Sequence, residues 1–163
     1  MATYDVIVVG AGNAALSAAV SARQAGAEKV LVLEKATEEL RGGNTYYSGG
    51  LLRMAFSEVA EILRLTPQAR EMPGFIEGLE TYPHEAFWAD LRRMTAERTD
   101  PQLAEILVAN SYPTACWMAD NGIRFEPAIS LGAVRVGGVI KWPKGAIVRA
   151  INEGVGLSRS WNG

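Results

Sequence analysis

The sequence predicts an α/β chain founded on a parallel βαβ unit, and three observations carry that reading. Val6-Ile7-Val8-Val9 and Val30-Leu31-Val32-Leu33 are short, wholly apolar, valine-rich runs, the pattern of strands covered on both faces. Between them, Asn13 to Ala25 is Ala-rich, with apolar positions at Ala15, Leu16, Ala19, Val20 and Ala22 and a closing Gly26, which describes a helix of about three turns. A crossover of that length makes the two strands parallel, so residues 5–34 form one βαβ unit.

The chain then changes character. Residues 41–50, Arg-Gly-Gly-Asn-Thr-Tyr-Tyr-Ser-Gly-Gly, hold four glycines and predict a loop without regular structure. Ser57 to Leu65 predicts a short helix with Ser57 as its cap, and Pro67, Pro73, Gly74 and Gly78 mark an irregular excursion. His84–Arg98 is helical, with Phe87, Leu91 and Met94 spaced to share one face. Asp100-Pro101 reads as an N-cap followed by proline at the first helical position. The helix it opens carries Leu103, Ile106, Leu107, Trp117 and Met118, with a kink or break expected at Pro113 and a stop at Asn121-Gly122. Ile123–Phe125 and the stretch Val134–Trp142 predict strands, and Gly154–Trp161 opens another helix. No strand is expected between Glu34 and Ile123. The organisation is thus a βαβ unit plus Gly-rich loop (1–50), a mainly helical segment (51–122), and strands leading into a helix (123–163). Two parallel strands do not complete a sheet, so the fold is expected to be incomplete within these residues.

Composition narrows the function. The 163 residues carry 16 Lys+Arg against 18 Asp+Glu, a net charge of -2, with 48% hydrophobic and 21% charged residues, the balance of an ordinary globular chain. Near-neutral charge gives no general attraction to phosphate backbones, so nucleic acid is a poor partner. A lone Cys116 excludes an intramolecular disulfide, and a lone His84 excludes most His-based metal sites, so no metal is expected. No stretch reaches the ~18 apolar residues of a membrane span. Met1–Asp5 lacks the positive region of a secretory signal, and the expected location is cytoplasmic.

Chemistry concentrates at two places. Gly10-Ala11-Gly12-Asn13-Ala14-Ala15 is a G-x-G-x-x-A fingerprint between strand and helix. Its first glycine permits the tight turn, its second lets backbone approach a pyrophosphate, and Ala15 is small enough for helix and strand to pack. The helix N-terminus offers N–H donors and a positive dipole end to phosphate. Glu34, which with Lys35 closes the second strand, lies 19 residues past Ala15, where a carboxylate accepts hydrogen bonds from an adenosine ribose. The dinucleotide is the next question. A nicotinamide-binding half should continue with a second helix and a third parallel strand. Here the Gly-rich loop and helical sequence follow instead, a layout that fits FAD.

With those motifs in place, the chain resembles the N-terminus of the fumarate reductase/succinate dehydrogenase flavoprotein superfamily, through Asp5–Gly12, Glu34-Lys35 and Gly42-Gly43-Asn44-Thr45-Tyr46-Tyr47-Ser48-Gly49-Gly50. The loop is similar to that of ketosteroid dehydrogenases. Tyr82–Arg98, the Trp117-Met118 helix and Gly122–Pro127 are more similar to FAD-dependent tricarballylate dehydrogenases. The resemblance implies a Rossmann-like, glutathione-reductase-like FAD-binding domain with a helical insertion. It implies hydride exchange with a C–C bond beside a carboxylate or carbonyl of a small substrate, and an electron donor or acceptor that it leaves unidentified. It also implies that backbone near Gly49-Gly50 lies beside flavin N5. Clustered glycines allow that approach, and Asn44, Thr45 and Ser48 add hydrogen-bonding groups. Where covalently flavinylated relatives carry histidine, this chain has Asn44, so the FAD is expected to be noncovalent. Substrate-binding arginines and histidines of that superfamily lie past residue 163, so no catalytic residue is assigned.

Other residues have plain readings. His84 suits a solvated helix end and Cys116 a small core position. Trp88, Trp117, Trp142 and Trp161 suit core anchors, Arg92-Arg93 a solvated face, and Tyr46-Tyr47 either packing or a flavin contact. Two other functions stay open: a non-catalytic or truncated nucleotide-binding module, and a plain NAD(P)-dependent enzyme.

Overall fold

The computed structural model describes residues 3–131, 133–142 and 145–161. These residues form two compact units: residues 1–50 with 150–163, and residues 51–149.

In the first unit, β1 (Val6–Val9) and β2 (Val30–Leu33) pair in parallel, with Val6 opposite Val30 and Val9 opposite Leu33, and α1 (Asn13–Gln24) crosses between them. Asp5 holds the start of this pair, its carboxylate accepting from the N–H groups of Glu28 and Lys29 at 2.9 and 2.8 Å. The strands are not covered on both faces as their composition predicts. Ile7, Val9 and Leu33 are 55%, 82% and 47% exposed, whereas α1 turns Leu16 and Ala19 inward. One helix can cover only one face of a two-stranded ribbon, which leaves the alternate side chains open.

Loop 41–50 is more regular than its glycines predict, because Gly43–Tyr46 forms a single helical turn, α2. Gly42, at φ +97°, starts the turn by reversing the backbone, and Thr45 N–H donates to its carbonyl at 3.1 Å. The unit is completed by α7 (Glu153–Ser160), which packs on α2.

In the second unit, β3 (Leu51–Arg53), β7 (Ile147–Ala150) and β4 (Phe125–Pro127) form a sheet of order β3-β7-β4, with β3 and β7 antiparallel. β7 is absent from the sequence reading, and so is β3. β3 is three residues long and pairs with a segment almost a hundred residues away, so no local pattern marks it. It does not extend β1–β2: among the described residues no third parallel strand joins that pair. β5 (Val134–Val136) and β6 (Val139–Lys141) form a hairpin, with Gly137 and Gly138 both at positive φ in its turn.

The helices depart from expectation in four places. Helix α3 (Val59–Leu65) starts two residues late, and Glu61, not Ser57, closes its N-terminus: one carboxylate oxygen accepts from Ser57 and Glu58 N–H at 2.7 and 2.9 Å. A 3₁₀ turn (Pro67–Glu71) and α4 (Phe75–Gly78) fill the irregular stretch. In α5 (His84–Thr95), Phe87 and Leu91 are half-buried but Met94 is 73% exposed, because it falls in the last turn before the chain reverses at Ala96 and Glu97, both at positive φ. Helix α6 (Pro101–Asp120) begins as expected, with Asp100 Oδ1 accepting from Gln102 and Leu103 N–H at 2.9 and 3.0 Å. It runs through Pro113 unbroken. Pro113 sits on the exposed flank, while Ala104, Val108, Ala115, Cys116 and Met118 are buried on both sides of it. Packing along the helix therefore outweighs the ~3 kcal/mol that an internal proline costs. The core of this unit is Met54, Phe56, Ile62, Phe75, Tyr82, Val108, Ile123 and Val148. Of the four tryptophans only Trp142 is buried, edge-on to Phe75 at 5.3 Å, and the others are half-buried.

Candidate functional site

The first unit has a cavity of about 500 Å³ at the C-terminal ends of β1 and β2. Gly10 to Ala15, Glu34, Lys35 and Gly42 to Thr45 all line it, so the fingerprint, the acid and the loop meet although they are separate in sequence. Val9 and Leu33 line it too. These two were expected inside a covered strand, and instead they are apolar walls where the strands open into the crevice. Ser48, Gly49 and Gly50 are not on its wall.

Each part is shaped by local chemistry. Gly10, at φ +106°, turns the chain out of β1, and its N–H donates to Leu33 O at 2.6 Å. A Cβ there would sit 3.9 Å from Ala15 Cβ, so the backbone angle rather than lack of space selects glycine. Gly12 is extended (φ -78°, ψ 174°) and is the N-cap of α1, with no side chain to satisfy the first-turn donors. Two of the donors here do find partners: Ala11 N–H donates to Glu34 Oε2 at 2.7 Å, and Asn13 N–H to Thr45 Oγ1 at 2.9 Å. The N–H groups of Gly12, Ala14 and Ala15 have no acceptor among the described residues, nor do those of Gly43 and Asn44 at the start of α2. Five unpaired donors around one cavity fit an anionic group such as a pyrophosphate.

Glu34 is held in place before any ligand arrives. Its Oε1 accepts from Ala36 N–H at 2.9 Å, and with the Ala11 bond this keeps the carboxyl below its ordinary pKa of 4.5. A carboxylate has about four acceptor positions, so two such bonds leave room for ribose hydroxyls.

The loop is fixed from behind by α7. Gly154 N–H donates to Ser48 O at 3.0 Å, and a Cβ on Gly154 would lie 2.1 Å from Thr45 O. A Cβ on Gly42 would lie 2.6 Å from Ser158 Oγ, and one on Gly50 2.7 Å from the Glu153 carbonyl carbon. Ser48 Oγ donates to Thr45 O at 2.8 Å and accepts from Gly50 N–H at 3.1 Å, so this hydroxyl serves the loop's own closure. Trp161 Nε1–H donates to Asn13 Oδ1 at 2.9 Å. No sequence signal marks these α7 contacts, because they join residues over a hundred positions apart.

The remaining candidates lie elsewhere. His84 is exposed at the start of α5 in the second unit, and Cys116 is buried and unpaired with any other cysteine. Tyr46 and Tyr47 stack edge to face at 5.3 Å, Tyr47 being 72% exposed. Among the described residues no group of three or more His, Cys, Asp or Glu is placed to hold a metal, and no helix is long and apolar enough to cross a membrane.

The fold and this cavity define a dinucleotide-binding α/β unit. The chain belongs to the family of FAD binding domains, whose pattern runs through residues 5–158, and FAD is the cofactor that fits. Over 134 residues (82% of this chain) it is 28% identical to a fumarate reductase (cytochrome) of Shewanella frigidimarina and 28% identical to an NADH:fumarate oxidoreductase of Klebsiella pneumoniae. It spans only 20% and 12% of those two proteins. A 53-residue stretch, 32% of this chain and 9% of the relative, is 53% identical to a 4-oxocyclohexanecarboxylate 2-dehydrogenase of Sinomonas cyclohexanicum. The crystal structure of a 3-ketosteroid-delta4-(5alpha)-dehydrogenase from Rhodococcus jostii RHA1 superposes with a TM-score of 0.65 at 21% identity. That superposition covers 98% of this chain and 35% of the other, and supports the fold.

Proposed function

We propose that this chain is the FAD-binding part of a flavin-dependent oxidoreductase that acts on a C–C bond beside a carboxylate or carbonyl, with a tricarballylate- or fumarate-like substrate. The observation that carries the reading is the meeting of Gly10–Ala15, Glu34-Lys35 and Gly42–Thr45 on one cavity rimmed with unpaired N–H donors. Relatives named as a fumarate reductase (cytochrome), an NADH:fumarate oxidoreductase and a 4-oxocyclohexanecarboxylate 2-dehydrogenase support the substrate class.

In this reading the unpaired N–H groups of Gly12, Ala14, Ala15, Gly43 and Asn44 bind the pyrophosphate. Glu34 accepts from the ribose hydroxyls, and the Lys35 ammonium balances phosphate charge. Thr45 and Ser48 hold the loop in shape so that backbone at Gly49 and Gly50 meets the flavin edge. FAD, when bound, supplies hydride exchange, and the chain supplies orientation and electrostatics. Asn44 has no imidazole with which to attach flavin, so FAD is held noncovalently. The working location is cytoplasmic, the substrate a small molecule, and the electron partner a separate donor or acceptor.

The test is reconstitution with FAD followed by desalting. The reading expects a retained flavin spectrum that acid precipitation releases into the supernatant, and no comparable retention of NAD. Retention of NAD in preference to FAD would establish the nicotinamide alternative.

A further inference from the structure

Trp161 lies three residues past the stretch matched to the family, yet it reaches the N-terminus of α1. Its indole Nε1–H donates to Asn13 Oδ1 at 2.9 Å across 148 positions of sequence. An indole nitrogen donates and cannot accept, so the atom of Asn13 that faces it must be the amide oxygen. The Asn13 Nδ2 group is thereby left as a donor, with no acceptor among the described residues, on a residue that lines the cofactor cavity. This matters because two backbone donors of the turn are already engaged. Asn13 N–H is taken by Thr45 Oγ1 and Ala11 N–H by Glu34 Oε2.

We propose that Trp161 is a positioning residue of the cofactor site: by fixing the rotation of the Asn13 amide, it keeps Nδ2 available to an anionic oxygen of the dinucleotide. The inference rests on the FAD-binding reading above. Without the indole, the amide turns freely and presents its oxygen to the phosphate for part of the time, which repels rather than binds. The side-chain amide thus replaces at this turn a donor that Thr45 has withdrawn from it.

The test is a double-mutant cycle on FAD affinity, read by flavin fluorescence quenching in the full chain. Trp161→Phe keeps an aromatic body and removes the donor. It should weaken FAD binding roughly three- to tenfold, the range of one neutral hydrogen bond. Asn13→Ala should weaken it at least as much, and Asn13→Asp more, since a carboxylate still accepts from Trp161 but repels phosphate. Adding Trp161→Phe to Asn13→Ala should cause no further loss, because the indole then has nothing to orient. A second readout needs no cofactor and covers the case in which Trp161→Phe folds poorly. The indole N–H resonance of Trp161, in a ¹⁵N-labelled chain, should shift in Asn13→Ala while the other three indole resonances stay in place. Equal losses from Trp161→Phe with and without Asn13, an unmoved indole resonance, or Asn13→Asp binding as tightly as wild type would each overturn the proposal. Failure of the wild-type chain to bind FAD would instead overturn the reading on which it rests.

Discussion

Gly154→Ala is the substitution whose consequence can be worked most fully from geometry. Gly154 is in the first turn of α7 with no positive φ, so alanine suits its backbone and would add about 1 kcal/mol of helix propensity if space allowed. Space does not allow it. The new methyl would lie 2.1 Å from Thr45 O, 2.5 Å from Ser48 O and 2.9 Å from Ser48 N, all backbone atoms that cannot rotate away. Relief requires α7 and the 42–50 loop to separate by roughly 1 Å, which also stretches the Gly154 N–H to Ser48 O bond. Overpacking of this kind costs ~1–3 kcal/mol and the strained hydrogen bond about 1, so the propensity gain is outweighed and a net loss of ~1–3 kcal/mol is expected. Because Thr45 moves with the loop, restoring the bound geometry carries a similar cost, or about 5- to 150-fold in FAD affinity. Urea unfolding followed by tryptophan fluorescence, with an FAD titration of the folded variant, measures both. An unchanged unfolding midpoint together with an affinity within about twofold of wild type would show that α7 does not support the loop as described.

Other outcomes follow from the same geometry. Gly12→Ala should fold normally, because its Cβ would meet only Thr45 Oγ1 at 3.4 Å and Gly42 O at 3.5 Å, yet lose FAD because the methyl stands where phosphate must approach; retained flavin after desalting would count against the cradle. Glu34→Ala should weaken FAD roughly 10- to 100-fold by titration. Since the folded pKa of Glu34 lies below 4.5, its contribution is complete above that pH and lost only as pH falls through the lower folded value, so wild-type affinity attributable to Glu34 should be level from neutral pH to about 5. Tyr82 and Tyr112 are pushed up to about 12, chiefly by burial, and should ionise late in an absorbance titration at alkaline pH. Tyr82→Phe should remove one of the late phenols and lower stability by about 1–2 kcal/mol through the lost 2.7 Å bond to Asp90; a variant as stable as wild type would mean that bond is not formed in solution.

The parts of this molecule that were legible in the sequence are those set by local chemistry. The bounds of β1 and β2, the span of α1 and the Asp100 cap all follow from apolar runs, glycine stops and a short-range side-chain bond. The residues that gather at the cavity were equally readable, because a Gly turn, an acid at a strand end and a Gly-rich loop each announce themselves within ten residues. What was not legible depends on distant partners. β3 exists because Leu51 pairs with Arg149, and α6 continues past Pro113 because Ala115, Cys116 and Met118 find a core. Val9 and Leu33 have the composition of buried residues but stand at the open end of a two-stranded ribbon. The role of α7 behind the loop was likewise hidden, since nothing near Gly154 in sequence shows that Thr45 lies against it.

That last arrangement sets an order of events during synthesis. The βαβ unit and its glycine loop have left the ribosome once residue 50 is clear, but the groups that brace them, Gly154, Ser158 and Trp161, emerge only after the intervening 51–149 unit has been made. At ordinary elongation speeds this interval is roughly 5–20 s, far longer than a helix or hairpin needs to form. Through that time the nascent chain carries the recognisable fingerprint without the buttress that shapes it. If these groups shape the site as proposed, nascent chains stalled before residue 150 should not retain flavin even though every residue lining the cavity is already present.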